Sequence, residues 1–386
     1  MNESTEMRLF FKYSNIVWLF LTVFSCTTKI EIDSKELTQK LNRVSSWQIG
    51  NFEYSDTGSA GYLHDHGIDA WTNGVFYMGL SSWAKTTENK TYIEWLYNIG
   101  EKNAWSIPKN FLNYSYGLYH ADELCIGQFY LNMFEIYADL KMIASVKERV
   151  SRIMNNPPQE GMQATNKQKW TWCDALFMAP PVYARIALLE DNRAYLDFMH
   201  KEFMDTYNHL YDKENRLFFR DDSYFTKEEP NGKRIFWGRG NGWVVAGIAS
   251  ILDALPEESE YRPFYEDLFV ELIKRLLELV SEDGFWYASL LDPESYPSPE
   301  TSATALITYA ITYGVNNELL DKKTYIPAIE KSWRALISVI DEDGKLGYVQ
   351  PIGADPRRVT KDMTAVYGVG AFLMAGNEIY RLIENQ

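Results

Sequence analysis

A chain of 386 residues that is 46% apolar, 15% aromatic and 24% charged carries far more hydrophobic surface than a disordered segment, enough for a large core. A net charge of −15 without any basic stripe excludes nucleic acid as a partner, because phosphate binding draws on clustered Lys and Arg. The same charge repels anionic ligands, so a site for one must hold a few well-placed cations, while the 12 Trp and 26 Tyr supply faces suited to stacking on sugar rings.

The chain opens on an export signal. After Arg8 and Lys12, an apolar stretch from Asn15 to Ser25 is too short for a comfortable membrane span, and Cys26 follows at once. Val23-Phe24-Ser25-Cys26 resembles a bacterial lipoprotein processing box, although Phe24 stands where a small residue is usual. The expected organisation is a signal peptide over 1–26 with a lipobox Cys26, a linker over 27–34 and one domain over 35–386. The expected location is outside the cytoplasm, in the periplasm or outer membrane, with the membrane touched only through the lipid. Cys125 and Cys173 sit in apolar helical sequence and are expected as buried free thiols.

From there on, helical periodicity and breakers predict roughly twelve helices, near 35–48, 72–87, 90–104, 121–138, 141–154, 173–189, 191–207, 241–254, 260–280, 301–314, 323–340 and 362–382. They alternate in character. Those at 72, 121, 173, 241, 301 and 362 are apolar nearly all round and rich in small residues, which marks burial on most sides. The others carry Lys, Glu and Asp on one face. Six such alternations predict an all-α fold, an (α/α)6 toroid or six-hairpin barrel in a single domain; a helical solenoid, which needs no closure, is the competing layout. A weak repeat of acidic turns supports the ring, at Asp212 to Phe219, Ser281 to Tyr287 and Asp341 to Tyr348.

In such a ring all inner helices start at one end, so the residues preceding them converge on a funnel mouth. The junctions hold Asp69 and Trp71 to Asn73; His120, Asp122 and Glu123; Trp170, Trp172 and Asp174; Trp237 to Trp243; Glu300; and Asp362. Capping of a helix N-terminus explains any one of these acids. It does not explain why Trp, His, Arg and carboxylates gather at these junctions while the other helix ends carry few. Asp174, flanked by Trp170, Trp172 and Phe177, is placed for desolvation and general-acid duty, with Asp122 as a second carboxyl across the cleft. Such a pair serves other acid–base chemistry equally well. Gly238-Arg239-Gly240-Asn241-Gly242 lacks the preceding strand and the Lys-Ser/Thr ending of a phosphate loop; its glycines instead let a backbone approach a ligand, with Arg239 forking onto a carboxylate between Trp237 and Trp243. No metal-ligand spacing and no Ser–His–Asp set stands out, so no metal or cofactor is expected.

Trp71-Thr72-Asn73-Gly74, Asp122, Trp172-Cys173-Asp174, Trp237 to Trp243, Glu300-Thr301-Ser302 and Gly368 to Leu373 together resemble the unsaturated rhamnogalacturonyl and glucuronyl hydrolases, in order from about residue 70 to 380. The resemblance implies an (α/α)6 toroid without a cofactor that removes the 4,5-unsaturated uronic acid left by polysaccharide lyases at the non-reducing end of an anionic oligosaccharide. It implies hydration of an enol ether, with Asp174 as the acid and base and Asp122 as its partner. Trp71 and Trp243 would pack on the sugar, Arg239 and Asn241 would bind its polar groups, and Asn73, His120 and Trp172 would complete the binding residues. Two positions depart from the family: Arg220 stands where relatives often have His, and Thr165 to Lys169 replaces a His-containing approach. Arg220 and Lys167 are then candidate cations for an anionic leaving sugar. The alternatives are an ordinary glycosidase on the same ring and a noncatalytic glycan-binding lipoprotein.

Overall fold

The computed structural model describes residues 29–52, 67–107, 117–166 and 168–386. The expected signal segment, Cys26 and Lys167 lie outside these residues. Thirteen helices are described: α1 (Ser34–Gly50), α2 (Trp71–Thr86), α3 (Lys90–Lys102), α4 (Cys125–Tyr137), α5 (Ala144–Asn155), α6 (Ala175–Met178), α7 (Pro180–Glu190), α8 (Ala194–Leu210), α9 (Gly238–Ala254), α10 (Arg262–Leu277), α11 (Thr301–Asn316), α12 (Lys322–Ser338) and α13 (Val366–Glu384). One short hairpin, β1 (Tyr211–Asp212) and β2 (Leu217–Phe218), pairs Tyr211 with Phe218 and Asp212 with Leu217 in antiparallel register. No helix among the described residues is long and apolar enough to cross a membrane.

Three of the outer helices start where a polar side chain takes an orphan N–H. Asp33 accepts from Glu36 at 2.7 Å, Asn89 from Tyr92 at 3.2 Å and Asp321 from Thr324 at 2.9 Å, opening α1, α3 and α12. The inner helices α2, α9, α11 and α13 are buried along nearly their whole length, so their all-round apolar sequence reflects two neighbours and a core. Inner helices pack in the order α2, α4, α6 with α7, α9, α11, α13, and α13 returns onto α2. That last contact closes the ring and excludes a solenoid. Outer helices back their partners as α3 on α2, α8 on α7, α10 on α9 and α12 on α11, and the sixth hairpin is formed by the two chain ends, α1 on α13. Glycine sets the closure distance: a Cβ on Gly370 would fall 2.3 Å from the Val75 carbonyl oxygen, and one on Gly79 would fall 2.3 Å from that of Gly370.

The helix expected over 173–189 is two. Pro180 and Pro181 lack N–H groups, so the carbonyls one turn earlier lose their partners and α6 ends after a single turn. The buried Gln128 side chain on α4 donates to the Phe177 carbonyl at 2.9 Å and so restores one of them. The acidic turns also form as expected. Ser281 N–H bonds the Phe285 carbonyl at 3.0 Å, and Ile340 bridges Leu346, each turning the chain back into the ring.

Candidate active site

The segment ahead of α6 is fixed before its carboxylate is presented. Lys169, 1% exposed, reaches Glu202 at 2.7 Å and Asp205 at 2.6 Å on α8, and the Thr206 hydroxyl bonds the Trp170 carbonyl at 2.7 Å. Cys173 N–H bonds the Arg220 carbonyl at 2.9 Å. Asp174 therefore sits on backbone tied to α8 on one side and to the residues after β2 on the other. It occupies the N-cap position of α6, yet its side chain makes no capping hydrogen bond. Capping does not account for it. Glu300 is the contrast: fully buried, it accepts from the N–H groups of Ser302 and Ala303, the Ser302 hydroxyl and the Gln350 N–H, and is a true cap of α11. The exposed Asp362 lies four residues ahead of α13 and joins neither role.

Burial holds the Asp174 carboxyl above its ordinary range, against the opposing pull of Arg220 and then Arg239. Asp122 lies in the tight turn Ala121–Leu124 ahead of α4, half-buried, and is pushed up to about 7 by burial first and by the charge of Asp174 second. The Trp172 indole hydrogen-bonds to Asp122 and opposes that rise. Glu123 beside it is also pushed up to about 7 by burial, with Arg149 opposing. Asp122 and Asp174 are thus both raised by burial, and the charge of Asp174 raises Asp122 further. His120 stacks on Trp172 with ring centroids 4.9 Å apart, and its Nδ1 lies 4.0 Å from Asp122 Oδ2.

Arg220 and Arg239 reach this pair in different ways. Arg220 Nε lies 3.8 Å from Asp174 Oδ2 and its side chain is 28% exposed. Arg239 is 1% exposed and its guanidinium is already engaged: Nη1 donates to the Gln350 carbonyl and the Tyr367 hydroxyl, Nη2 to the Pro351 carbonyl at 2.9 Å, and the group lies 4.5 Å over Trp237. The expected fork onto a ligand carboxylate is therefore taken by backbone, and Arg239 acts here as a buried positive charge. Asn241 differs from expectation for the same reason. Its Oδ1 accepts from Phe218 N–H at 2.8 Å and its Nδ2 donates to the carbonyls of Phe218 and Trp237, both at 3.1 Å, so its amide stitches α9 to β2. Asn73 donates to the Gly67 carbonyl at 2.9 Å and is likewise buried.

Trp71, half-buried, lies edge-on to Trp243 and 5.2 Å from the Tyr367 ring. Trp243 and Trp237 are buried almost completely, Trp243 against Phe177, so they back the site rather than wall it. Tyr367 and Asp221 were not among the expected residues. Tyr367 would have been found by the junction rule had α13 been started at Val366. Asp221 gave no separable sign, since its pairing with Arg220 is a matter of rotamer.

The opposite end of the inner helices is not as bare as expected. A cavity of about 550 Å³ opens there, lined by Lys85, Glu135, Arg185, Asp253, Glu378 and Arg381 among others. Its cations are matched in ion pairs, Lys85 to Glu135 at 2.8 Å, Arg185 to Glu135 at 2.7 Å and Arg381 to Glu378 at 2.8 Å. Tyr309 and Tyr313 also line it. At the funnel end, two carboxyls raised by burial, a partly open cation and aromatic faces meet.

The family model described as Glycosyl Hydrolase Family 88 matches residues 40–383. An unsaturated 3S-rhamnoglycuronyl hydrolase of Formosa agariphila is 42% identical over 328 residues, 81% of this chain and 85% of that protein. A solved glycosyl hydrolase family 88 protein from Bacteroides vulgatus is 31% identical, with a TM-score of 0.80 over 91% of this chain and all of its own. A solved structure described as a polysaccharide lyase is 33% identical, with a TM-score of 0.81 over 92% of this chain and 99% of its own.

Proposed function

The chain belongs to glycosyl hydrolase family 88 and is an unsaturated uronyl hydrolase, and from that premise we propose that Asp174 is the group that hydrates the substrate's double bond. Asp174 gives its proton to C4 of the 4,5-unsaturated uronate, leaving positive charge shared by C5 and the ring oxygen. The same carboxylate then takes a proton from the water that adds at C5. The resulting hemiketal opens, C5 becomes a ketone, and the hemiacetal left at C1 collapses to release the rest of the oligosaccharide. Asp122 orients the ring and holds the pair's second charge, Trp71 and Trp172 face the sugar, and Arg220 takes its anionic group.

The observation that carries this reading is the placement of Asp174: raised by burial, free of any capping bond, and paired with Asp122 beside an open cation. The name of the Formosa relative points to a 3S-rhamnoglycuronyl oligosaccharide as the first substrate to offer, which agrees with an Arg at position 220. Loss of the ultraviolet absorbance of the conjugated double bond, with the parent chain and Asp174→Asn side by side, tests it. Decay is expected from the parent and at least about a thousand-fold less from the variant, the order seen when a principal catalytic group is removed. A lyase would make absorbance rise on the intact polymer, so the sign of the change separates the two chemistries.

The N-terminal segment supports export and lipidation at Cys26. Fatty-acid labelling of the expressed protein that survives Cys26→Ala would reject the anchor.

A further inference from the structure

Among the described residues, Arg220 is held from one side only. Its Nη1 donates to Asp221, a 4% exposed carboxylate whose other oxygen accepts Ser223 N–H at 2.9 Å. This grip sets the guanidinium so that Nε points at Asp174 Oδ2 from 3.8 Å, beyond hydrogen-bond reach, and Nε is buried with no hydrogen-bond partner among the described residues. The rest of the guanidinium stays open toward the funnel. An N–H left in this state is costly, so the guanidinium is not locked onto Asp174.

Three elements and one chain neighbour face Asp174. Asp122 comes from the turn ahead of α4, with His120 next to it; Arg220 and, behind it, Asp221 come from the residues after β2; Arg239 comes from α9; Cys173 is its chain neighbour, with Sγ 3.6 Å from Oδ2. Arg239 is fixed by backbone carbonyls and cannot leave. Arg220 is the one opposing charge in this set that a ligand can reach.

We propose that Asp221 is a positioning residue that holds Arg220 as a relay, so that the substrate's anionic group, by engaging the open edge of Arg220, offsets that cation's pull on Asp174 and leaves the acid more firmly protonated in the occupied site than in the empty one. The inference rests on Asp174 being the acid. Its physical basis is that a cation within about 4–6 Å favours the carboxylate by one to three pH units, and a cation neutralised by a second anion no longer does. In the empty site Arg220 offsets part of the rise that burial imposes on Asp174; in the filled site that offset is removed and burial acts in full.

The pH dependence of kcat/KM reports the free enzyme and that of kcat the complex, so the two limbs measure the relay directly. In the parent chain, assayed on lyase-generated unsaturated oligosaccharide, the alkaline limb of kcat should lie about one unit above that of kcat/KM. Asp221→Asn leaves the Arg220 charge uncompensated, so the kcat/KM limb should move down by about half a unit and KM rise several-fold, with Asp221→Glu restoring both. Arg220→Gln, which needs no grip, should bring the two limbs together. Coincident limbs in the parent, or limbs unmoved in both Asp221→Asn and Arg220→Gln, would overturn the relay. Turnover by Asp174→Asn would instead overturn the acid on which it rests.

Discussion

At the scale of single residues, the site is assembled from groups that are expensive to fold. Asp122 keeps its proton up to about 7 in the folded chain, whereas a free aspartate carboxyl releases it at 3.8. Between those values the folded state binds more protons than the unfolded one, so the stability present at low pH is lost as pH rises toward 7. Asp122→Asn retains an oxygen for the Trp172 indole without the ionisation. It should melt later than the parent at about pH 8, by on the order of 2 kcal/mol, and show no advantage near pH 4. A gain that does not change with pH would mean that the carboxyl's charge is not what the fold is working against. Residue types at the junctions were readable because general acids, sugar platforms and cations come from a short chemical menu. Which of them touch a ligand was not readable: Asn241, Arg239 and Glu300 look as functional in the sequence as Asp174 does, and only their hydrogen bonds show them turned inward.

At the scale of elements, the break between α6 and α7 matters most, because Asp174 stands at the start of the single turn it creates. A continuous inner helix through this point would carry Asp174 within its first turn; Pro180 and Pro181 detach that turn, and Gln128 repairs the exposed carbonyl of Phe177 from the neighbouring helix. Gln128→Met keeps the volume and removes the donor. An unpaired buried carbonyl costs about 1–3 kcal/mol, so urea unfolding should show a loss in that range, together with lower kcat as α6 loosens under Asp174. A loss below about 0.5 kcal/mol would show that α6 does not depend on this bond. The Pro-Pro pair was visible in the sequence, but a helix running through it was the natural reading, since apolar periodicity continues on both sides and the partner that satisfies the freed carbonyl lies 49 residues away.

For the whole molecule, alternation of all-round apolar helices with one-faced ones already required an inner and an outer layer, because a helix without a polar face has to be surrounded. Eleven of the twelve expected helical segments were therefore legible in their type and nearly in their limits, and the twelfth, over 173–189, is two helices. Closure was not. It depends on α13 fitting against α2 closely enough that Gly370 and the Val75 carbonyl meet without a side chain between them, and on α1, from the other chain end, backing α13. The same division holds for the site. The sequence by itself determined the layered ring and the helix starts at which Trp, His, Arg and carboxylates gather, because periodicity, helix starts and residue chemistry are local properties of the chain. Only the tertiary structure decided that Arg239 and Asn241 serve the scaffold, that Trp243 is buried behind Trp71, and that Asp221 aims Arg220 at Asp174. Those outcomes depend on which hydrogen-bond partners arrive from distant helices, and a donor spent on a backbone carbonyl looks identical in sequence to one left for a ligand.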